Sequence, residues 1–179
     1  MPRWPTAPFD PHRTGCYGCR RITPADGSCG VHDYPCTHWG VDTFTLDGSR
    51  EVVAPERGTV AVVTDGRSPP WVGYGPGLVL LAGASGFYHM LAHLESGSVR
   101  VRVGQQLAEG APIGRFDAEY GHCHYEVRRK PIGPSSSNTI DPALWLREAS
   151  RSSSISSSWL WSLVGLGVIG YAVYRYRSR

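Results

Sequence analysis

Through the middle of the chain, short β-rich apolar runs alternate with turn signals. VVAPERGTVAVVTDG, GLVLLAGASG, FYHMLAHL, SVRVRVGQQL and HCHYEVRR follow one another between Val52 and Arg129, separated by turn-forming residues. Runs this short, spaced by turn signals, predict antiparallel strands, and therefore a mostly-β domain. The 22 glycines and 14 prolines supply the turns that many short strands need. One segment breaks the pattern: DPALWLRE at 141–148 predicts a closing helix, with Asp141 as N-cap and Pro142 in the first helical position.

Outside this region the pattern changes twice. Residues 1–36 lack the apolar core of a secretory signal and read as an extended, Cys-rich arm preceding a domain at 37–148. Residues 149–158 form a Ser-rich linker, and 159–174, WLWSLVGLGVIGYAVY, are uncharged and apolar apart from Ser162. A run apolar on every face predicts a transmembrane helix. Trp159 and Trp161 at one end, and Tyr171, Tyr174 and Tyr176 at the other, suit the two membrane interfaces. Within it, GLGVIG matches a dinucleotide fingerprint by spacing, but no strand precedes it, and close helix packing in lipid is the better use of its glycines.

Charge sharpens this division. Residues 1–148 carry a net charge of about −1, whereas the remainder carries +4 from Arg151, Arg175, Arg177 and Arg179. The body has no basic excess with which to grip phosphates, which excludes nucleic acid as its main partner. The basic tail at 175–179 predicts a C-terminus on the inner side of a membrane and the folded domain on its outer side.

Candidate chemistry sits in two short motifs. On a strand, His122 and His124 project to one face while Cys123 and Tyr125 point away. Upstream, His38 and Asp42 add an imidazole and a carboxylate four residues apart. Zinc accepts both nitrogen and oxygen, and a catalytic site needs three protein ligands with one position left for water. Cys123 reads as a buried packing residue, and Glu126, on the same strand face as His124, as either support for that ligand or a structural carboxylate.

Together with their neighbours these motifs closely resemble the lysostaphin-like, or LytM-type, zinc endopeptidases of peptidoglycan. The resemblance covers about 36–146 and rests on HWGVD at 38–42, APERGTV at 54–60, FYHMLAHL at 87–94, VGQQLAEGAPIG at 103–114, HCHYEV at 122–127 and DPALWL at 141–146. It implies an antiparallel β-sheet peptidase domain with a central groove. It also implies one catalytic zinc on His38, Asp42 and His124, with His93 and His122 as the catalytic histidines. His89, four residues before His93, is then structural. The alternative is a non-catalytic LytM-type module that binds wall or activates another hydrolase; retention of all five matching positions favours the enzyme. Only RFDAEYG separates the IG turn from His122, where the family usually has a longer loop.

Cys16, Cys19, Cys29 and Cys36 suit two disulfides in a small extracytoplasmic arm. A second, structural zinc is the lesser alternative, because the later pair lacks the spacing of the first. A wall-degrading enzyme with a membrane helix but no export signal is expected of a bacteriophage, in the virion membrane or the host inner membrane. The expected partners are thus bacterial peptidoglycan and, through 159–174, a lipid bilayer.

Overall fold

A computed structural model describes residues 2–6 and 38–151. The four early cysteines, with the disulfides or second zinc expected of them, and the apolar segment 159–174 lie outside the described residues. Within them no helix is long and apolar enough to cross a membrane.

The antiparallel, mostly-β prediction holds. The strands are β1 (Val41–Thr43), β2 (Glu51–Val53), β3 (Gly58–Thr64), β4 (Leu78–Gly83), β5 (Tyr88–Ala92), β6 (Gln106–Leu107), β7 (Pro112–Arg115), β8 (Cys123–Arg128) and β9 (Thr139–Ile140), with a short helix α1 (Ser135–Asn138) before the last. The main sheet runs β1-β8-β5-β4-β3-β6, with β9 also on β8, while β2 and β7 pair separately. The β4–β5 hairpin is consecutive in sequence, but β8 arrives from far along the chain to lie between β1 and β5. That long-range insertion brings the two sequence motifs side by side.

Alternation divides the main sheet into two faces. Val79, Leu81, Leu91, Cys123, Tyr125 and Val127 bury one face in the larger core, closed by Trp145 and Leu146. On the other face Leu78, Leu80, Met90 and Ala92 pack beneath Trp71, and His124, Glu126 and Arg128 occupy the same side of β8. Every residue of β8 is buried, so its polar face has to be satisfied by protein groups.

Two predicted elements differ from expectation. SVRVRV at 98–103 forms no ladder, although Val101 is buried and Val99 packs against the core. Its backbone bonds go elsewhere: Arg100 N–H donates to the Ile113 carbonyl, and Arg102 N–H to the Gln105 side chain. Alternating burial was met by an extended loop. The closing helix begins as predicted, with Ala143 N–H donating to Asp141 Oδ1 at 2.8 Å. It continues to 151, past the linker boundary that composition suggests, because Ala149 still packs on the core and Ser150 bonds back to the Leu146 carbonyl.

At the other end of the chain, residues 2–6 strap onto the domain. Arg3 N–H donates to the Pro55 carbonyl and Val53 N–H to that of Pro5, while Trp4 meets Tyr125 edge-on at 6.2 Å.

Candidate metal centre

Pairing register assembles the site. Asp42 of β1 lies opposite His124 of β8, and His124 lies opposite Ala92 of β5. Directly opposed residues share a face within contact distance, so Asp42 meets His124, and His93 follows immediately after Ala92. His38 enters from the segment leading into β1.

His38 Nε2 is 3.0 Å from Asp42 Oδ1 and 3.1 Å from His124 Nδ1, and the latter two atoms are 3.1 Å apart. Donor atoms around a tetrahedral zinc with bonds of ~2.0–2.1 Å stand roughly 3.3 Å apart, so this triangle fits the ion with a small outward shift of each atom. Among the described residues, these three form the group of potential ligand atoms close enough to share a metal. Two imidazole nitrogens and one carboxylate oxygen are also a donor set that zinc accepts.

Burial acts to raise the Asp42 pKa, but hydrogen bonds to His124 and His38 hold it well below the usual carboxylate range. Burial pulls His124 down, yet Asp42 and Glu126 outweigh it and raise its pKa to about 9. His124 is therefore a strongly basic ligand between two carboxylates.

Glu126 decides how that ligand presents itself. Its Oε1 lies 3.1 Å from His124 Nε2, and a carboxylate can only accept, so Nε2 keeps its proton and Nδ1, facing His38 and Asp42, is the nitrogen that can ligate once its own proton is lost. Glu126 also accepts from the Tyr74 hydroxyl at 2.9 Å and pairs with the buried Arg128. Burial works to raise its pKa, but His124, Arg128 and Tyr74 hold it below the ordinary value. Of the two roles open to Glu126 in the sequence, the geometry favours support of the ligand. Gly40 makes the approach of β1 possible: a Cβ there would stand 2.7 Å from His124 Cε1, Nε2 and the Tyr125 carbonyl oxygen.

His93 and His122 flank the triangle. The His93 Nδ1–H donates to the Gly75 carbonyl at 2.8 Å, which leaves Nε2 unprotonated in the neutral ring. Burial pushes its pKa down to about 4, so the neutral form prevails at pH 7. His122 Nε2 lies 3.4 Å from Asp42 Oδ1, and its ring meets His93 edge-on with centroids 5.2 Å apart. All five sequence-predicted site residues thus line one groove of about 520 Å³, walled by Trp39, Tyr74 and Tyr120.

The model of peptidase family M23 matches residues 36–142 of the chain. The chain belongs to peptidase family M23. CbpA from L. salivarius REN is similar in structure, with a TM-score of 0.59 and 18% identity over 83% of this chain and 95% of that one. The catalytic domain of lysostaphin, an antimicrobial peptidase from Staphylococcus simulans, has a TM-score of 0.54 and 23% identity, covering 75% of this chain and 91% of that one. Another lysostaphin structure reaches 26% identity with a TM-score of 0.52, covering 68% of this chain and 49% of that one. A search of curated proteins found no match.

Around its M23 site the protein holds residues that motif reading missed. Tyr74, in the Gly- and Pro-rich stretch between β3 and β4, carries no signal beyond its loop composition. Tyr120, from the shortened loop, stacks on His93 with centroids 4.1 Å apart and rings 15° from parallel. Arg128 was legible in principle, since it follows His124 and Glu126 by the same alternation.

His89 and Cys123 fall on the opposite face, as their structural readings imply. His89 is fully buried; its Nε2 lies 2.7 Å from Glu56 Oε1 and its Nδ1 lies 2.9 Å from the Tyr125 hydroxyl. Cys123 is buried, and that burial raises its thiol pKa well above the ordinary range, which removes it as a nucleophile.

Proposed function

We propose that this M23 peptidase is a zinc-dependent endopeptidase that hydrolyses peptide bonds of bacterial peptidoglycan. The observation that carries the reading is the convergence of His38 Nε2, Asp42 Oδ1 and His124 Nδ1 at 3.0–3.1 Å, with His93 and His122 beside them in an open groove. A zinc ion held by those atoms would lower the pKa of a water molecule and polarise a carbonyl.

The remaining chemistry belongs to the chain's own side chains. His93, neutral and with a free Nε2, accepts the proton of the attacking water and returns it to the leaving amine. His122, edge-on to the His93 ring, donates to the oxygen on which negative charge develops. Glu126 keeps His124 in the ligating tautomer, and Tyr120 holds the His93 ring upright by stacking on it. Peptidoglycan as substrate is supported by the likeness to lysostaphin and by the near-neutral body, which has no charge excess for nucleic acid.

The setting we propose is a membrane facing bacterial wall, in a virion or a host cell during phage entry or lysis. The uncharged segment 159–174 and its Arg-rich flank support anchoring. Extraction of the full chain by alkaline carbonate would refute it.

The function is tested by metal analysis of the purified full chain beside clearing of isolated peptidoglycan. About one zinc per chain is expected, lost with activity in His124→Ala. His93→Ala is expected to keep the zinc and lose activity. A folded, zinc-loaded protein that binds wall without releasing soluble peptide would establish the non-catalytic alternative instead.

A further inference from the structure

The sheet face that carries the metal groove extends well beyond it. Pairing register sets Arg128 of β8 opposite Tyr88 of β5, Tyr88 opposite Ala82 of β4, Ala82 opposite Thr59 of β3, and Thr59 opposite Gln106 of β6. Directly opposed residues share a face, so these side chains form one row across the sheet, on the side of His124. Toward β6 the row opens into a cleft of about 650 Å³, walled by Arg57, Thr59, Ala82, Ala84, Gln106 and Ala108. No step of the reaction above uses it.

The lining narrows what this cleft can take. Arg57, Thr59 and Gln106 are exposed and present a guanidinium, a hydroxyl and an amide, which together donate and accept. The rest is small: three alanines with Gly58 and Gly83 leave a shallow floor that suits a flat group better than a projecting side chain. The β3 edge beside it is already paired, Gly58 and Thr59 with β6, and Val60 with Gly104 and Gln105. An extended peptide therefore cannot add there through its main chain. Arg57 is the one charged residue in the lining, too little for a polyanion. A sugar ring meets these conditions, with a flat apolar face and a rim of hydroxyl and acetamido groups.

We infer that this cleft binds the N-acetylated amino-sugar strand of the wall, holding the glycan while its stem peptide lies in the metal groove. The inference rests on the hydrolytic reading proposed above. Arg57 and Gln106 donate to acetamido and hydroxyl oxygens, and the Thr59 hydroxyl bonds a second ring substituent. Spacing supports simultaneous occupation. Ala92 lies opposite His124, and Tyr88 lies opposite Ala82. Ala82 is thus about 14 Å from His124 along the strands and about 10 Å across them, or about 17 Å directly. An extended stem of about four or five residues spans roughly 13–18 Å. One polymer can therefore reach both places.

The test titrates the zinc-loaded full chain in detergent with a hexamer of N-acetylglucosamine, which has the sugar backbone without peptides. Calorimetry is expected to show saturable binding, weakened at least about fivefold in Arg57→Ala/Gln106→Ala, the scale of one or two hydrogen bonds. Both side chains are exposed and outside the metal groove. Cleavage assays then compare cross-linked stem peptides with and without their sugars. The wild type is expected to favour the sugar-bearing form by at least about fivefold in kcat/KM. The double variant should treat the two alike, cutting bare peptides as fast as the wild type does. A wild type that does not bind the hexamer would overturn the site and leave the hydrolase standing. Binding or preference that persists unchanged in the double variant would overturn its assignment to this cleft. Binding through the cleft without preference for sugar-bearing peptides would overturn simultaneous occupation. Binding lost in the double variant, with no peptide cut by either protein, would support the cleft and overturn the hydrolytic reading.

Discussion

At the scale of single residues, the site depends on contacts that leave no slack. Gly40 packs against the His124 ring, and a methyl group at 2.7 Å from Cε1 and Nε2 has to push it aside. Gly40→Ala is expected to weaken zinc binding by about 10–100-fold, the usual effect of disturbing a ligand's support. Competition with a chelator of known affinity checks this. Glu126 carries two burdens at once, orienting His124 and neutralising Arg128, both groups being nearly inaccessible to solvent. Glu126→Gln is expected to lower zinc affinity on a similar scale and to destabilise the fold by about 3–5 kcal/mol, because a buried cation loses its partner. Adding Arg128→Met should restore most of the stability but none of the zinc affinity. Denaturation and metal titration of the single and double variants separate the two roles.

At the scale of elements, a polar cluster ties the far face together. Glu56, just before β3, accepts from Ser85 of the β4–β5 turn at 2.6 Å and from His89 of β5, which in turn reaches Tyr125 of β8. Burial acts to raise the Glu56 pKa, but the hydrogen bonds of His89 and Ser85 hold it below its ordinary value. A carboxylate whose folded pKa is depressed contributes stability above its unfolded pKa and loses it as pH falls through the folded one. Glu56→Gln is therefore expected to cost stability at pH 7 and progressively less below about pH 4.5, in the range where the unfolded carboxyl is protonated. Thermal unfolding of both proteins between these conditions measures the difference. Gly83 permits the cluster, since a Cβ there would collide with the Glu56 carboxylate and the His89 ring.

For the whole molecule, metal and fold are coupled. His38 and Asp42 belong to the β1 region and His124 to β8, which lie far apart in sequence and are joined by the sheet alone. A zinc ion would cross-link them, so the unfolding temperature is expected to rise with free zinc concentration, as for any ligand of the native state. His124, raised to about 9, holds a proton at neutral pH that zinc must displace. Binding at pH 7 is expected to release about one proton and to weaken as pH falls. Calorimetry in buffers of different ionisation enthalpy counts that proton, and no release would mean that His124 is already neutral.

The sequence by itself determined the strand type and the helix start at Asp141, and its family resemblance named the five candidate site residues that one groove brings together. These are local: alternation, N-cap chemistry and motif spacing are written in neighbouring positions. Alternation alone, however, would have put His93 on the side of His89 and Leu91, in the core. The structure turns it outward because the chain leaves β5 there, with His93 in a left-handed conformation at φ 57° and its ring held by the Gly75 carbonyl. SVRVRV likewise has a strand's pattern but finds no strand to pair with. Tertiary structure alone decided the partners of Glu126 and the stacking of Tyr120 on His93. Each depends on segments brought together by the insertion of β8 between β1 and β5, a long-range pairing that no local pattern encodes.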